Sequence, residues 1–553
     1  MKNIYLKIVI LFLIPAQLFA QAKKHEFSQP KLVVGIVVDQ MRADYIYRYW
    51  NKFQEGGFKK LVGEGFYCAN THYNYVPTYT GPGHASIYTG TTPEYHGIIG
   101  NNWYVRSSES TVYCASDTNQ HSVGGSEKSG QMSPSRLIGT TIGDELRLFS
   151  GFRSKVIGVS LKDRGAIFPA GHSGKAFWFD NITNNFISST YYYQREKGLP
   201  VWLSSFNDRK LAEKFLNGKW EPLLSISDYT ESTSDDTRYE YVIDTIVGAK
   251  PILNYDLKRL SLMEPDLLRR TPFGNTITME MAVAAINGEK LGDDSFCDLL
   301  AVSFSSTDYV GHAFGTDAVE TEDTYLRLDK DLATFIKYLE EKIGKDNVLV
   351  FLTADHAALP NPLYLNDHKI PGGFVFTEAI KSEIKKSLQA EYGDSSLFSY
   401  YINDQVFLNN AQLEKSNLLK DKVAAYLSKR LLDLEFVADV ILSSDLISND
   451  FSTGIKGMVR RGFNRKRSGD IAIIYQPGFI ESHGGRQAET GTTHGSPYNY
   501  DTHVPVYWWG WKIKHGITHA EVNINDIAPS IAALLNICQP SGCTGKPIIE
   551  ITK

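Results

Sequence analysis

Asp and His recur in this 553-residue chain where apolar, strand-like runs end. Leu32–Val38 runs into Asp39. Leu299–Phe304 is followed within a few residues by Asp308 and His312. Val348–Thr353 leads to Asp355 and His356, and a late Gly-Thr-Thr-His494 precedes the run Val504–Trp508. Ligands of open α/β sheets bind outside the carboxyl ends of the strands, so these residues predict one shared site. Anionic carboxylate and neutral imidazole together suit a borderline metal such as zinc. Asp308 and His312 stand four apart, which puts both on one face if a helix starts there. Taken singly, each Asp at a strand end also serves as a turn former or helix cap; four such strand ends together point to one site.

Two further segments carry polar groups suited to an anion. In Tyr75-Val-Pro-Thr-Tyr-Thr80-Gly-Pro-Gly-His84 a loop turns apolar and helical from about residue 82. That sets the Thr80 hydroxyl near a helix N-terminus, where backbone N–H groups favour anions. The alternative is that Thr80 is the helix cap, and Thr78 is a rival hydroxyl two residues earlier. In Val159-Ser-Leu-Lys162-Asp-Arg164, extended backbone sends Lys162 and Arg164 the same way, either toward an anion or into solvent as a charged loop.

The elements that must position these groups alternate. Strand-like runs at Leu32–Val38, Val156–Ser160, Leu299–Phe304, Val348–Thr353, Ile471–Tyr475 and Val504–Trp508 are separated by amphipathic patterns, the clearest from Thr324 to Ile343. This predicts an α/β fold: a central mixed, mostly parallel sheet sandwiched by helices. Two stretches break the rhythm, near 180–270 and 365–470, and read as insertions forming caps on one catalytic domain spanning 21–553.

Composition narrows the class. A hydrophobic share of 42% with 22% charged residues describes a packed globular chain, and 57 basic against 62 acidic residues exclude a strongly basic nucleic-acid surface. Lys2 and Lys7, the apolar Ile8–Ile14 and small residues at Ala20 and Ala22 have the order of a secretory signal peptide, cleaved after Ala20 or Ala22. The mature protein is then expected in the periplasm or released, without stable membrane insertion. Five cysteines without a Cys-x-x-Cys pair do not indicate a thiolate zinc site, although Cys538 and Cys543 flank a turn and are spaced to pair.

Several stretches together resemble the alkaline phosphatase superfamily, and within it the PafA-type bacterial enzymes with a Thr nucleophile. They are Lys31 to Asp39-Gln-Met-Arg42, Pro77-Thr-Tyr-Thr80, His96-Gly-Ile-Ile-Gly-Asn101, Leu161-Lys162-Asp-Arg164, Ser306-Thr-Asp308-Tyr-Val-Gly-His312 and Gly491-Thr-Thr-His494. The resemblance spans about residues 30–550. It implies two Zn²⁺, one on Asp308, His312 and His494, the other on Asp39, Asp355 and His356 with Thr80 as a further ligand. It implies that Thr80 is the nucleophile and that Asn101, Lys162 and Arg164 grip phosphoryl oxygens. It favours Thr80 over Thr78, and its paired Lys and Arg point to phosphate monoesters rather than diesters. The expected partners are small-molecule phosphate monoesters, and the protein is expected to be a monomer. A phosphodiesterase or nucleotide pyrophosphatase of the same superfamily is the alternative, and a non-catalytic secreted zinc-binding protein the more remote one. Ala357 departs from the pattern, which has Gly there and so raises the question of a strained turn. His84 and His96 are expected to orient loops, and Asp501 and His503 to support His494 or cap loops.

Overall fold

The computed structural model describes residues 28–552 apart from 245, 247, 483 and 485–487. The expected leader, residues 1–20, and His483 lie outside the described residues. Ten strands form the main sheet: β1 Leu32–Val38, β2 Phe66–Cys68, β3 Ser122–Val123, β4 Val156–Ser160, β5 Lys175–Asp180, β6 Asn185–Ser189, β7 Asp298–Phe304, β8 Val348–Thr353, β9 Val506–Gly510 and β10 Gly516–Thr518. Their order is β10-β2-β9-β8-β1-β7-β4-β5-β6-β3. The run β8-β1-β7-β4-β5 is parallel, and antiparallel strands flank it on both sides. The fold is the expected mixed, mostly parallel α/β sheet covered by helices.

β1 sits at the centre because every residue of Leu-Val-Val-Gly-Ile-Val-Val is buried, as a strand covered on both faces requires. Its register does the positioning. Val38 pairs with Phe304 and Val37 with Thr353, so β1, β7 and β8 end side by side. Ser303 pairs with Ser160, which brings the end of β4 to the same edge. Helix α1, Thr80–Thr89, packs close over this edge. A side chain at Gly35 would start 2.4 Å from both the Tyr88 hydroxyl and Phe351, so glycine in mid-strand is what lets α1 approach.

Four further helices matter for the site: α2 Asp163–Ala170, α3 Phe273–Glu289, α4 Ser306–Phe314 and α5 Val319–Lys342. The apolar pattern from Thr324 misses the first turn of α5. There Glu320, Glu322 and Asp323 are buried, because they bond Tyr255, Lys52 and Trp220 rather than water.

The two irregular stretches differ. Trp220, Tyr255 and Leu257 belong to the main core, so the stretch near 180–270 folds onto the main body. Residues beyond 370 build a second, four-stranded sheet ordered Phe398–Ile402, Gln405–Leu408, Ile471–Tyr475, Val437–Leu442. Ile380, Ile384, Val406, Leu427 and Ile473 give it a core of its own. Ile471–Tyr475, as apolar as any main-sheet strand, belongs here; composition does not say which sheet a strand joins. Among the described residues no helix is long and apolar enough to cross a membrane.

Candidate metal centre and active site

The shared strand edge gathers the Asp and His residues into two triads, Asp308–His312–His494 and Asp39–Asp355–His356. Within each, one ligand atom per residue lies within 4.8 Å of the others. Backbone bonds hold the frame. The Asp39 N–H donates to the Phe304 carbonyl at 3.0 Å, and the Thr307 hydroxyl donates to the Asp39 carbonyl. Asp308 and His312 lie one turn apart on α4, with His312 Nε2 3.1 Å from Asp308 Oδ1.

The three imidazoles are oriented in one way. Nδ1 of His312 donates to the Thr492 carbonyl at 2.7 Å, that of His494 to the Thr78 carbonyl at 2.6 Å, and that of His356 to the Ala357 carbonyl at 3.2 Å. A carbonyl accepts only, so Nδ1 carries a proton in each ring and Nε2 faces the centre. At His312, burial is outweighed by Asp308, which raises the imidazole above its ordinary range. The rings of the other two, His356 and His494, stack at 3.4 Å. Burial, and for His356 also the neighbouring His494, hold both below the ordinary histidine range, which keeps them neutral and able to ligate.

The carboxylates are equally constrained. Burial, with Asp355 beside it, raises Asp39 well above the usual carboxylate range, and burial pushes Asp355 up to about 6. For Asp308 burial acts the same way, but His312 and Lys162 outweigh it and hold the group low. Asp39 Oδ1 and Asp355 Oδ2 are buried and accept no well-formed hydrogen bond, with His356 Nε2 3.5 Å from the first and His84 Nδ1 3.3 Å from the second. Buried carboxylate oxygens without donors are costly unless a cation meets them. With the Asp308 carboxylate and three imidazole nitrogens they form N/O donor groups of the kind that a divalent metal such as zinc takes.

Thr80 stands beside the second triad and Lys162. Its Oγ1 lies 3.4 Å from His356 Nε2 and 3.5 Å from Lys162 Nζ. The capping position of α1 is Tyr79, and no side chain caps the helix, so the Thr80 hydroxyl is not spent on it. Thr78 instead donates to the Ser496 carbonyl at 3.3 Å and lends its own carbonyl to His494. Gly83 lets α1 sit directly against the second triad: a Cβ there would lie 2.3 Å from the Asp355 carbonyl oxygen.

Of the three other predicted groups, Lys162 reaches the hydroxyl, while Asn101 bonds the next residue, Gly81, and Arg164 bonds Tyr113. Lys162 Nζ, buried, lies 2.7 Å from Asp39 Oδ2 and 2.5 Å from Asp308 Oδ2, bridging the two triads. Burial opposes its charge, yet Asp308 and Asp39 raise its pKa above the ordinary lysine value. Asn101 Oδ1 accepts the Gly81 N–H at 2.8 Å, which fixes the amide flip and leaves Nδ2 as the free donor. Arg164 Nη1 donates to the Tyr113 hydroxyl at 3.0 Å, and that hydroxyl donates to Asp163.

Sequence reasoning missed Gln40 and Tyr113. Gln40, with φ +62°, gives its backbone N–H to Asp355 Oδ1 at 3.2 Å and its Nε2 to Asp308 Oδ1 at 2.8 Å, and so ties the triads together. Its place next to Asp39 was the available signal. Tyr113 carried none. The secondary candidates fall outside the triads. His84 Nδ1 is 3.0 Å from the Thr80 carbonyl and Nε2 2.9 Å from Ser303 Oγ, while His96 bonds Ser86. Asp501 accepts the N–H groups of Gly495 and Ser496, bracing the loop of His494, and His503 bonds the Ala69 carbonyl. Ala357 is not among the residues with positive φ, so the expected glycine leaves no strained turn behind. Cys538 and Cys543 are free thiols.

Comparison with known proteins finds relatives over nearly the whole chain. Residues 33–497 match the family model of type I phosphodiesterase / nucleotide pyrophosphatase. "Alkaline phosphatase PafA" of Elizabethkingia meningoseptica is 43% identical over 544 residues, 98% of this chain and 97% of that protein. "Alkaline phosphatase PhoV" of Synechococcus elongatus is 42% identical over 528 residues, 95% of this chain and 94% of that one. The crystal structure of wild-type alkaline phosphatase PafA superposes with a TM-score of 0.91, covering 95% of this chain and 99% of that chain at 43% identity.

Proposed function

Because the chain belongs to the type I phosphodiesterase / nucleotide pyrophosphatase family, and within it to the PafA-type alkaline phosphatases, we propose that it is an exported, two-zinc phosphomonoesterase releasing inorganic phosphate from many phosphate monoesters. The observation that carries this reading is the buried Lys162 ammonium 3.5 Å from the Thr80 hydroxyl and bonded to a carboxylate of each triad.

Asp308, His312 and His494 would hold one Zn²⁺, and Asp39, Asp355 and His356 the other, with Thr80 Oγ1 as a further ligand. When bound, the metals supply Lewis-acid stabilisation of the Thr80 alkoxide and of the departing oxygen. Thr80 Oγ1 attacks phosphorus, and the ester oxygen leaves from the opposite face. The phosphoryl group stays on Thr80 until water attacks it and frees the hydroxyl. Lys162, Arg164 and the free Nδ2 of Asn101 bind the non-bridging oxygens, where negative charge is concentrated. A monoester dianion carries one more charge than a diester, so this pair of cations favours monoesters. Diester hydrolysis, which the family's description suggests, is then a minor activity.

We read the protein as one catalytic unit over 21–553, with insertions near 180–270 and 365–470, acting as a monomer. Its leader is removed near Ala20 or Ala22, and the mature chain works in the periplasm or outside the cell. The test is paired turnover of the zinc-loaded mature protein on an aryl phosphate monoester and the matching diester, each with and without chelator. A chelator-sensitive preference for the monoester is expected. A diester preference overturns the substrate, and zinc uptake without turnover of either leaves a non-catalytic metal-binding protein.

A further inference from the structure

Both the Asn101 amide and the partner of Arg164 hang on one hairpin. Its strands, Asn102–Val105 and Ser110–Tyr113, pair antiparallel with Asn102 opposite Tyr113. Asn101 is the residue before the first strand, and its carbonyl accepts the Cys114 N–H at 2.8 Å, closing the base. From one end of this ladder Asn101 reaches Gly81 and Tyr113 reaches Arg164.

The outer side of the hairpin is gripped by the second sheet. The Tyr104 ring stacks on Tyr400 at 4.9 Å and 6°. Arg106 lies over Phe407 at 4.8 Å, donates to the Leu408 carbonyl at 3.2 Å and pairs with Asp470 at 2.9 Å. The third contact is the nearest to the chemistry. Asn403 and Asp404, at φ +53° and +56°, make the tight two-residue turn between two strands of that sheet. The turn delivers Asn403 Nδ2 to the Asn102 carbonyl at 2.8 Å, one residue from Asn101. Gly100 leaves the room for it, since a Cβ there would lie 2.5 Å from Asn403 Nδ2.

We infer that Asn403 is a positioning residue for phosphoryl recognition: through the Asn102 carbonyl, the turn of the second sheet sets where the Asn101 amide stands. This rests on the reading of Asn101 as a phosphoryl-oxygen donor. An Asn in a left-handed turn has a bland explanation, since Asn tolerates that backbone well. Glycine tolerates it as well, so Asn403→Gly keeps the turn and removes only the amide.

The experiment compares Asn403→Gly, Asn101→Ala and the double variant, all zinc-loaded, on an aryl phosphate monoester and an aryl diester, with inhibition by inorganic phosphate measured alongside. Asn403→Gly is expected to lower monoester kcat/KM about 3- to 10-fold, the effect of one net hydrogen bond. It should weaken phosphate inhibition in step and cost the diester less. In the Asn101→Ala background it should change nothing further, because its target is gone. Asn403→Asp, which points an acceptor at a carbonyl, should be worse than Asn403→Gly. Equal losses on both substrates, or a full Asn403→Gly effect on top of Asn101→Ala, would make Asn403 a mere turn former and overturn the inference. If Asn101→Ala alone leaves monoester turnover intact, the role of Asn101 itself falls, a result separable from any behaviour of Asn403.

Discussion

Replacing Lys162 with alanine should do two things that separate in the assay. Its ammonium lies 3.5 Å from Thr80 Oγ1 and within 2.7 Å of one carboxylate oxygen from each triad. Losing a preorganised, charged donor beside the reacting centre costs about 10²- to 10³-fold in turnover. A diester presents less charge to that position, so its loss should stay within about tenfold. The second effect is on the fold. Removing one partner of a buried ion pair costs about 3–5 kcal/mol, because the charge left behind is uncompensated. Here two carboxylates are stranded. In the proposed site zinc would meet the same carboxylates, so the penalty should be large in chelator and small in zinc. The measurements are kcat/KM on matched aryl mono- and diesters, and thermal melts of wild type and K162A in both conditions. Equal fold-losses on the two substrates would refute the charge argument. An equal melting penalty with and without zinc would refute the claim that lysine and metals answer to the same carboxylates.

Other expectations are as direct. Thr80→Ala should keep zinc, measured by metal analysis, and lose most monoester turnover together with any phosphoenzyme burst. Thr78→Ala should retain most turnover, since that hydroxyl faces Ser496; the opposite ranking would move the nucleophile. Gly83→Ala drives a Cβ to 2.3 Å from the Asp355 carbonyl oxygen and should destabilise by about 1–3 kcal/mol while weakening zinc retention; a neutral melt would contradict the close packing of α1. His96 is buried and held down to about 3, first by burial and then by Arg467. Its unfolded form takes a proton below about 6.5 and its folded form does not, so the stability it contributes is complete above that pH and is lost as pH falls toward 3. Between pH 7 and 5.5 this amounts to about 1 kcal/mol; His96→Gln should remove that slope in denaturant titrations, and an unchanged slope would place the acid sensitivity elsewhere.

The legible part of the fold and site is the part made of short-range pattern. Leu32–Val38 announces a strand buried on both faces, and Asp39 follows it without a gap, so the position of the carboxylate comes with the position of the strand. Asp355 follows Val348–Thr353 after one residue, Ala354, so its place too comes with the strand. Asp308 and His312 share a helix face by spacing alone. What stays hidden depends on register and on contacts distant in sequence. Tyr113 meets Arg164 only because its hairpin is docked against α2, 51 positions away. The buried Glu320 and Glu322 look like a solvated helix start until Tyr255 and Lys52 are folded over them. Asn101 has no chemical signature of its own; family resemblance singles it out, and the Gly81 N–H then explains its orientation. The four-stranded sheet is invisible as a separate layer, since its strands read like those of the main one.

Charge balance joins the two triads, the lysine and the proposed substrate preference into one argument. Asp39, Asp308 and Asp355 bring three negative charges to a volume from which water is largely excluded. Lys162 offsets one, and Arg164 adds a second positive charge, tied through the Tyr113 hydroxyl to Asp163. Two bound divalent cations would leave the site with a net positive charge, which a buried centre does not sustain without a counter-charge. A phosphate monoester dianion brings one more negative charge to that surplus than a diester does, so Lys162 and Arg164 would stabilise the monoester more. Removing either lowers the surplus by one charge, so each single substitution should shift the monoester-to-diester ratio in the same direction, by its own distance from the phosphoryl oxygens.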